Sequence, residues 1–198
     1  MARNLFYLNG QTVSARQAGH LAWNSCFEPS ASVIEAFRTL AKNETSKQIF
    51  LNDRKVFLLR TLIASYLAGA ALDQLRMRYI SNEEILNDVF DGLLEAITNF
   101  CQPLPEMEMH FLRKLIWGRV TDYSTDFYRT RRESEDLKRV HLPKGIYPTQ
   151  RFFEDCDNYI EKNALDMADP LHLLFYVNSI ESGYVAIVNF FNEHLTPV

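Results

Sequence analysis

Cysteine, glycine and proline are all scarce in this chain of 198 residues, and each scarcity excludes a class of protein. Three cysteines (Cys26, Cys101 and Cys156), odd in number and without a C-x-x-C pair, make neither a disulfide framework nor a zinc knuckle. They fit a reducing compartment as small apolar side chains, so the expected location is the cytoplasm. Seven glycines and seven prolines are too few for a loop-rich or disordered chain, whereas 14 Phe, 9 Tyr and 2 Trp supply bulky core material. The stretch MARNLFYLNGQ lacks the apolar segment and small-residue cleavage pattern of a secretory signal, so export is not expected.

Long hydrophobic runs are also missing. A membrane span needs about 20 predominantly apolar residues. TLIASYLAGAAL (61–72) stops at Asp73, and LHLLFYVNSIESGYVAIVNFF (171–191) is interrupted by Asn178, Ser179, Glu181 and Ser182. Both are expected to be helices buried in protein, with no membrane partner.

Catalytic signatures are absent in the same way. There is no G-x-S-x-G, Walker A or G-x-G-x-x-G motif. Five scattered histidines announce no metal site. In Glu106-x-Glu108-x-His110 the middle carboxylate points away from its neighbours on a helix. Asp169-x-x-His172 is explained by Asp169 capping a helix that starts at Pro170. Neither a metal nor a cofactor is expected.

What remains is helical patterning. The expected fold is all-α: one domain over 1–198, a bundle of about seven helices, with a short hairpin or extended arm over 1–14. LFYLNGQTVS (5–14) places Asn9-Gly10 between strand-compatible runs, a tight-turn signal. Two strands alone are marginal, so the hairpin must pack on helices or pair with another strand, within the chain or across a dimer.

Ser14 is placed to cap a helix over about 15–27, and another is expected from Ser32. The segment 53–79 is apolar on almost every side from Val56 to Leu72 and belongs at the centre. There Ser65 and Gly69 would let a neighbouring helix approach. Ser81-Asn82-Glu83-Glu84 has capping-box form and opens a helix over about 82–101. The next helix, after Pro105, presents Met109, Leu112, Ile116, Val120, Tyr123 and Phe127, and is expected either to break near 129 or to project. Residues 128–148 read as a charged connection and a proline-bounded loop, with a helix after it over about 149–163. The last helix, opened by Asp169-Pro170, carries Leu173, Val177, Ile180, Tyr184, Ile187, Phe191 and Leu195 along one side.

Charge is unevenly placed. The whole chain is −4, yet residues 113–151 are +5 and the remainder −9. YRTRRESEDLKR (128–139) offers Arg129, Arg131, Arg132, Lys138 and Arg139 as contacts for nucleic acid or for an acidic protein surface, with Tyr123, Tyr128 or Tyr147 for stacking. Its three carboxylates leave it only +2, the interleaving expected of a salt-bridged helix end. Opposite in sign, Glu84, Asp88, Asp91 and Glu95 recur at helical spacing as an acidic docking stripe. Asp122 and Asp126 are expected to pair locally with Arg119 and Arg129.

These features favour a non-enzymatic helical interaction protein, a self-associating cytosolic adaptor or regulator. A protein partner, including a second copy, is favoured over nucleic acid. The alternatives are a nucleic-acid-binding regulator using 113–151 and a Mg²⁺-dependent nucleotide hydrolase using the acidic helix 83–101.

Overall fold

The computed structural model describes residues 5–8, 11–24, 34, 36, 52–79, 83–101, 109–136, 146–166, 168–193 and 196–197. The chain is all-α with a short amino-terminal β-hairpin, as its patterning predicts. Strands β1 (Leu5–Leu8) and β2 (Gln11–Ser14) pair antiparallel with Leu8 opposite Gln11, the register of a two-residue loop. A short strand β3 (Thr196–Pro197) lies on the other side of β1, giving the order β2-β1-β3. The carboxyl-terminal strand of the same chain thus covers that edge of the hairpin.

Helix α1 covers 15–24 and opens on a reciprocal cap. The Ser14 hydroxyl accepts from the Gln17 backbone N–H at 3.2 Å, and the Gln17 side chain accepts from the Ser14 N–H at 2.9 Å. The helix expected from Ser32 lies mostly outside the described residues, although Ile34 is helical and in the core.

Helix α2 (Asp53–Tyr79) is the axis of the fold, packing against each of the longer helices later in the chain. Asn52 caps it through the Lys55 N–H at 3.1 Å. Every residue from Thr61 to Leu75 is buried, which explains why its sequence shows no polar face. Helix α3 (Glu83–Cys101) buries Val89, Phe90, Leu93 and Ile97. Its expected cap, Ser81, lies outside the described residues.

Helix α4 (Met109–Asp136) runs unbroken past 129, about 42 Å at 1.5 Å per residue. It neither breaks nor swings free there, because Asp73 on α2 and Tyr147 later in the chain bind Arg131 and Glu133 near its end. It approaches α2 closely at Gly69, where a Cβ would come 2.6 Å from the Tyr123 Cβ, as expected of that glycine.

Helix α5 (Ile146–Tyr159) starts earlier than expected, with Pro148 in its first turn, where its missing N–H costs nothing. After it, Asn163 adopts φ 57° in the left-handed region. Asp169 caps α6 (Pro170–Tyr176) by accepting from the Leu171 N–H at 2.8 Å. A π-helical segment (Val177–Glu181) then joins α6 to α7 (Ser182–Glu193) without a break.

That segment corrects the expected burial of the last helix. In a regular helix residues seven apart are separated by only about 20°, so Leu173, Ile180 and Ile187 should share a face. The wider π turn inserts a residue and rotates the rest of the helix about its axis. Ile180 and Ile187 are buried with Phe175, Ser179 and Phe190, while Leu173 and Val177 are exposed. By length and composition alone, Asp53–Met77 and Pro170–Phe190 could cross a membrane. The first is 89% buried inside its own fold and the second only 39%, so the latter is not the buried helix its sequence suggests.

At the centre Tyr66 meets Tyr123, Phe127 and Phe152 edge-on at 5.3, 5.2 and 5.8 Å, arrangements that favour the ring quadrupoles. Its hydroxyl lies 3.4 Å from that of Thr149, which is 3.0 Å from that of Tyr176. One polar chain therefore joins α2, α5 and α6.

Candidate functional site

Among the described cations of 113–151, Arg119, Arg129, Arg131 and Arg151 are bonded to carboxylates of the same chain. Arg119 bridges Asp122 at 2.6 Å and the buried Asp155 at 2.8 Å, and the Tyr123 hydroxyl donates to the other Asp155 oxygen at 2.7 Å. Burial, reinforced by the Asp155 charge, pushes the Tyr123 hydroxyl well above its usual range. Tyr123 is fully buried and cannot stack on a base. Asp155, in the sequence EDCD, is thus a structural anchor rather than part of an open carboxylate face. Its neighbour Cys156 is fully buried, and burial raises that thiol well above its ordinary range.

Two of the expected contacts are accounted for within the helix ends. Arg129 donates to Glu133 at 3.0 Å and lies over the Tyr147 ring at 4.0 Å, and Tyr147 donates to the same Glu133. The Glu133 carboxyl is held below its ordinary range, first by the Tyr147 hydrogen bond and then by Arg129. Arg131 donates to Asp73 on α2 at 2.8 Å. Burial pushes the Asp73 carboxyl up, and the Arg131 hydrogen bond only partly offsets this. Asp126 pairs with Arg151 on α5, not with Arg129 as expected, because α5 brings a guanidinium across from another helix. Arg132 is exposed. Lys138 and Arg139 lie outside the described residues.

The acidic stripe on α3 faces a basic group of its own chain. Glu84, Asp88 and Asp91 are exposed, and Glu95 is bound by two nitrogens of Arg16 on α1 and lies 3.1 Å from the His20 ring nitrogen. The Arg16 hydrogen bond, together with that of His20, lowers the Glu95 carboxyl to about 2. The charges of Asp88 and Asp91 also act on Arg16. The four carboxylates run along the helix rather than converging. Among the described residues no three His, Cys, Asp or Glu side chains are grouped so as to hold a metal ion.

Two surfaces carry exposed apolar groups. The first is the outer face of α6, the π segment and α7. Leu173, Leu174, Val177 and Val185 are 45%, 51%, 38% and 54% exposed, with Asn178, Glu181 and Ser182 between them. The spacing of Leu173 and Val177 is the signal of this face that was visible in the sequence. The second is a cleft of about 290 Å³ between α2, α3 and α4, lined by Leu72, Arg76, Glu83, Asn87, Phe90 and Trp117 among others. Trp117 is half exposed and meets Phe90 edge-on at 4.5 Å. Arg76 is steadied by donating to the Ser124 hydroxyl at 3.0 Å.

Comparison of the chain with family models, curated proteins and solved structures finds no match in any of the three.

Proposed function

We propose that this chain is a non-enzymatic helical interaction protein that self-associates through the outer face of its last helix and acts as a cytoplasmic adaptor or regulator. The observation that carries this reading is the exposure of Leu173, Leu174, Val177 and Val185 along one stripe of a helix whose opposite side is core. Exposed apolar groups clustered on one helix surface mark interaction sites.

The stripe is suited to a second copy. Its apolar groups sit at the two ends and its polar ones in the middle. In an antiparallel two-fold pairing, residue i meets j while j meets i. Val185 of each copy then packs on Leu173, Leu174 and Val177 of the other. Asn178 comes opposite Glu181, and although one amide N–H of Asn178 is used on the Leu174 carbonyl, a second is available to the carboxylate.

The other readings are less well supported. A nucleic-acid surface would need Arg129 and Arg131, which are bonded to Glu133 and Asp73. A Mg²⁺ hydrolase would need convergent carboxylates, and those of α3 are strung along one face.

The test is light scattering on the purified chain beside Leu174→Asp and Val185→Asp. Both sites are exposed, so the variants should stay folded and lose association at least tenfold. Association unchanged in both variants would refute the assigned face.

A further inference from the structure

We infer that the cleft between α2, α3 and α4 is a binding site for a small aromatic zwitterion, a ring bearing a short tail with one carboxylate and one ammonium group. The inference is independent of self-association, since the cleft and the last-helix stripe share no residue.

The lining specifies the guest. At about 290 Å³ the cleft lies at the lower end of the range for small-molecule sites, which favours a single ring with a short tail over a nucleotide. Leu72 and Phe90 form an apolar wall. Trp117 leaves half of its surface uncovered beside it, a ring face on which another ring can pack. A guest ring resting on the indole and reaching Phe90 would bury that surface.

The rim specifies the charges. Arg76 and Glu83 line the same cleft with opposite signs. Arg76 is positioned by Ser124, which occupies one of its five N–H donors and leaves others for a carboxylate. Glu83 can receive an ammonium group, and Asn87 supplies both a donor and an acceptor. A guest with a single charge would satisfy one side of the rim and leave the other unmatched. A zwitterion matches both.

The chain reports on the site by itself. It has two tryptophans, of which Trp23 is buried and Trp117 lines the cleft. L-Phenylalanine does not absorb where indole is selectively excited, so titrating it against Trp117 emission reads occupancy directly, with calorimetry as a second readout. The expected result is a saturable emission change at millimolar or lower L-phenylalanine. Binding of 3-phenylpropionate and phenethylamine, each lacking one charge, should be about tenfold weaker, equivalent to about 1.4 kcal/mol. Exposed Glu83→Gln should abolish the preference over 3-phenylpropionate, Arg76→Gln the preference over phenethylamine, and Trp117→Phe the emission change. No saturable response by either readout at millimolar L-phenylalanine would overturn the inference, and so would equal binding of all three probes.

Discussion

Gly19 on α1 and Gly92 on α3 face each other's helices so closely that neither position has room for a side chain. A Cβ on Gly19 would overlap the Val89 carbonyl oxygen, and one on Gly92 would overlap the Arg16 carbonyl oxygen. The obstructing atoms are backbone, which cannot turn aside as a flexible side chain does. This crossing also sets Arg16 and His20 beside Glu95.

Gly92→Ala should therefore destabilise by about 3 kcal/mol or more, the upper end of overpacking costs, lowering Tm by about 6–12 °C. Gly118 on α4 is the control, because a Cβ there would meet nothing within 4 Å. Gly118→Ala should raise stability by up to about 1 kcal/mol through helix propensity. Thermal denaturation of the two variants checks the contrast.

Asp155 should be the most costly carboxylate of the α4–α5 interface to remove. Asp155→Ala leaves Arg119 short of its buried partner and the Tyr123 hydroxyl without its acceptor. The expected loss is about 3–5 kcal/mol. Asp122→Ala removes only the exposed end of the same network and should cost less than about 1 kcal/mol. Urea unfolding of both variants measures the difference.

Glu95 should give the protein part of its acid sensitivity. Its carboxyl is lowered from 4.5 to about 2 when folded, chiefly by the Arg16 hydrogen bond. A depressed folded value means stability that is present above about pH 4.5 and lost as pH falls toward 2. Glu95→Gln should flatten the decline of Tm across that window. The difference should shrink in high salt, since Arg16 and Glu95 are both well exposed.

Neighbouring arginines should behave differently on charge reversal. Arg131→Glu sets a carboxylate against the buried Asp73 and should cost about 3 kcal/mol or more. Arg132→Glu, at an exposed position, should stay within about 0.5 kcal/mol. Calorimetric scans of each variant test this, and they make Arg132 the cleaner probe in any nucleic-acid titration.

What could be read from the sequence was local. Segment 53–79 and helix Asp53–Tyr79 coincide, because an apolar stretch bounded by Asn52-Asp53 leaves little choice of ends. Ser14 and Asp169 cap as expected, since capping requires only neighbours two or three residues away. Partners that arrive from another helix could not be read. Spacing offered Arg129 to Asp126, but the fold supplied Arg151. Gly19 and Gly92 are unremarkable until α1 and α3 cross. The π segment left no mark in the hydrophobic pattern, yet it decides that Leu173 and Val177 face outward. The cleft beside Trp117 came from the structure alone, whereas the charged segments to which the sequence pointed are paired within the chain only in part.

Sedimentation equilibrium of the wild-type chain, from low to high micromolar concentration, tests the central claim most directly. The mass should rise from 23.0 kDa toward twice that value, with the rise absent in Leu174→Asp. A mass of 23.0 kDa at every concentration would contradict it.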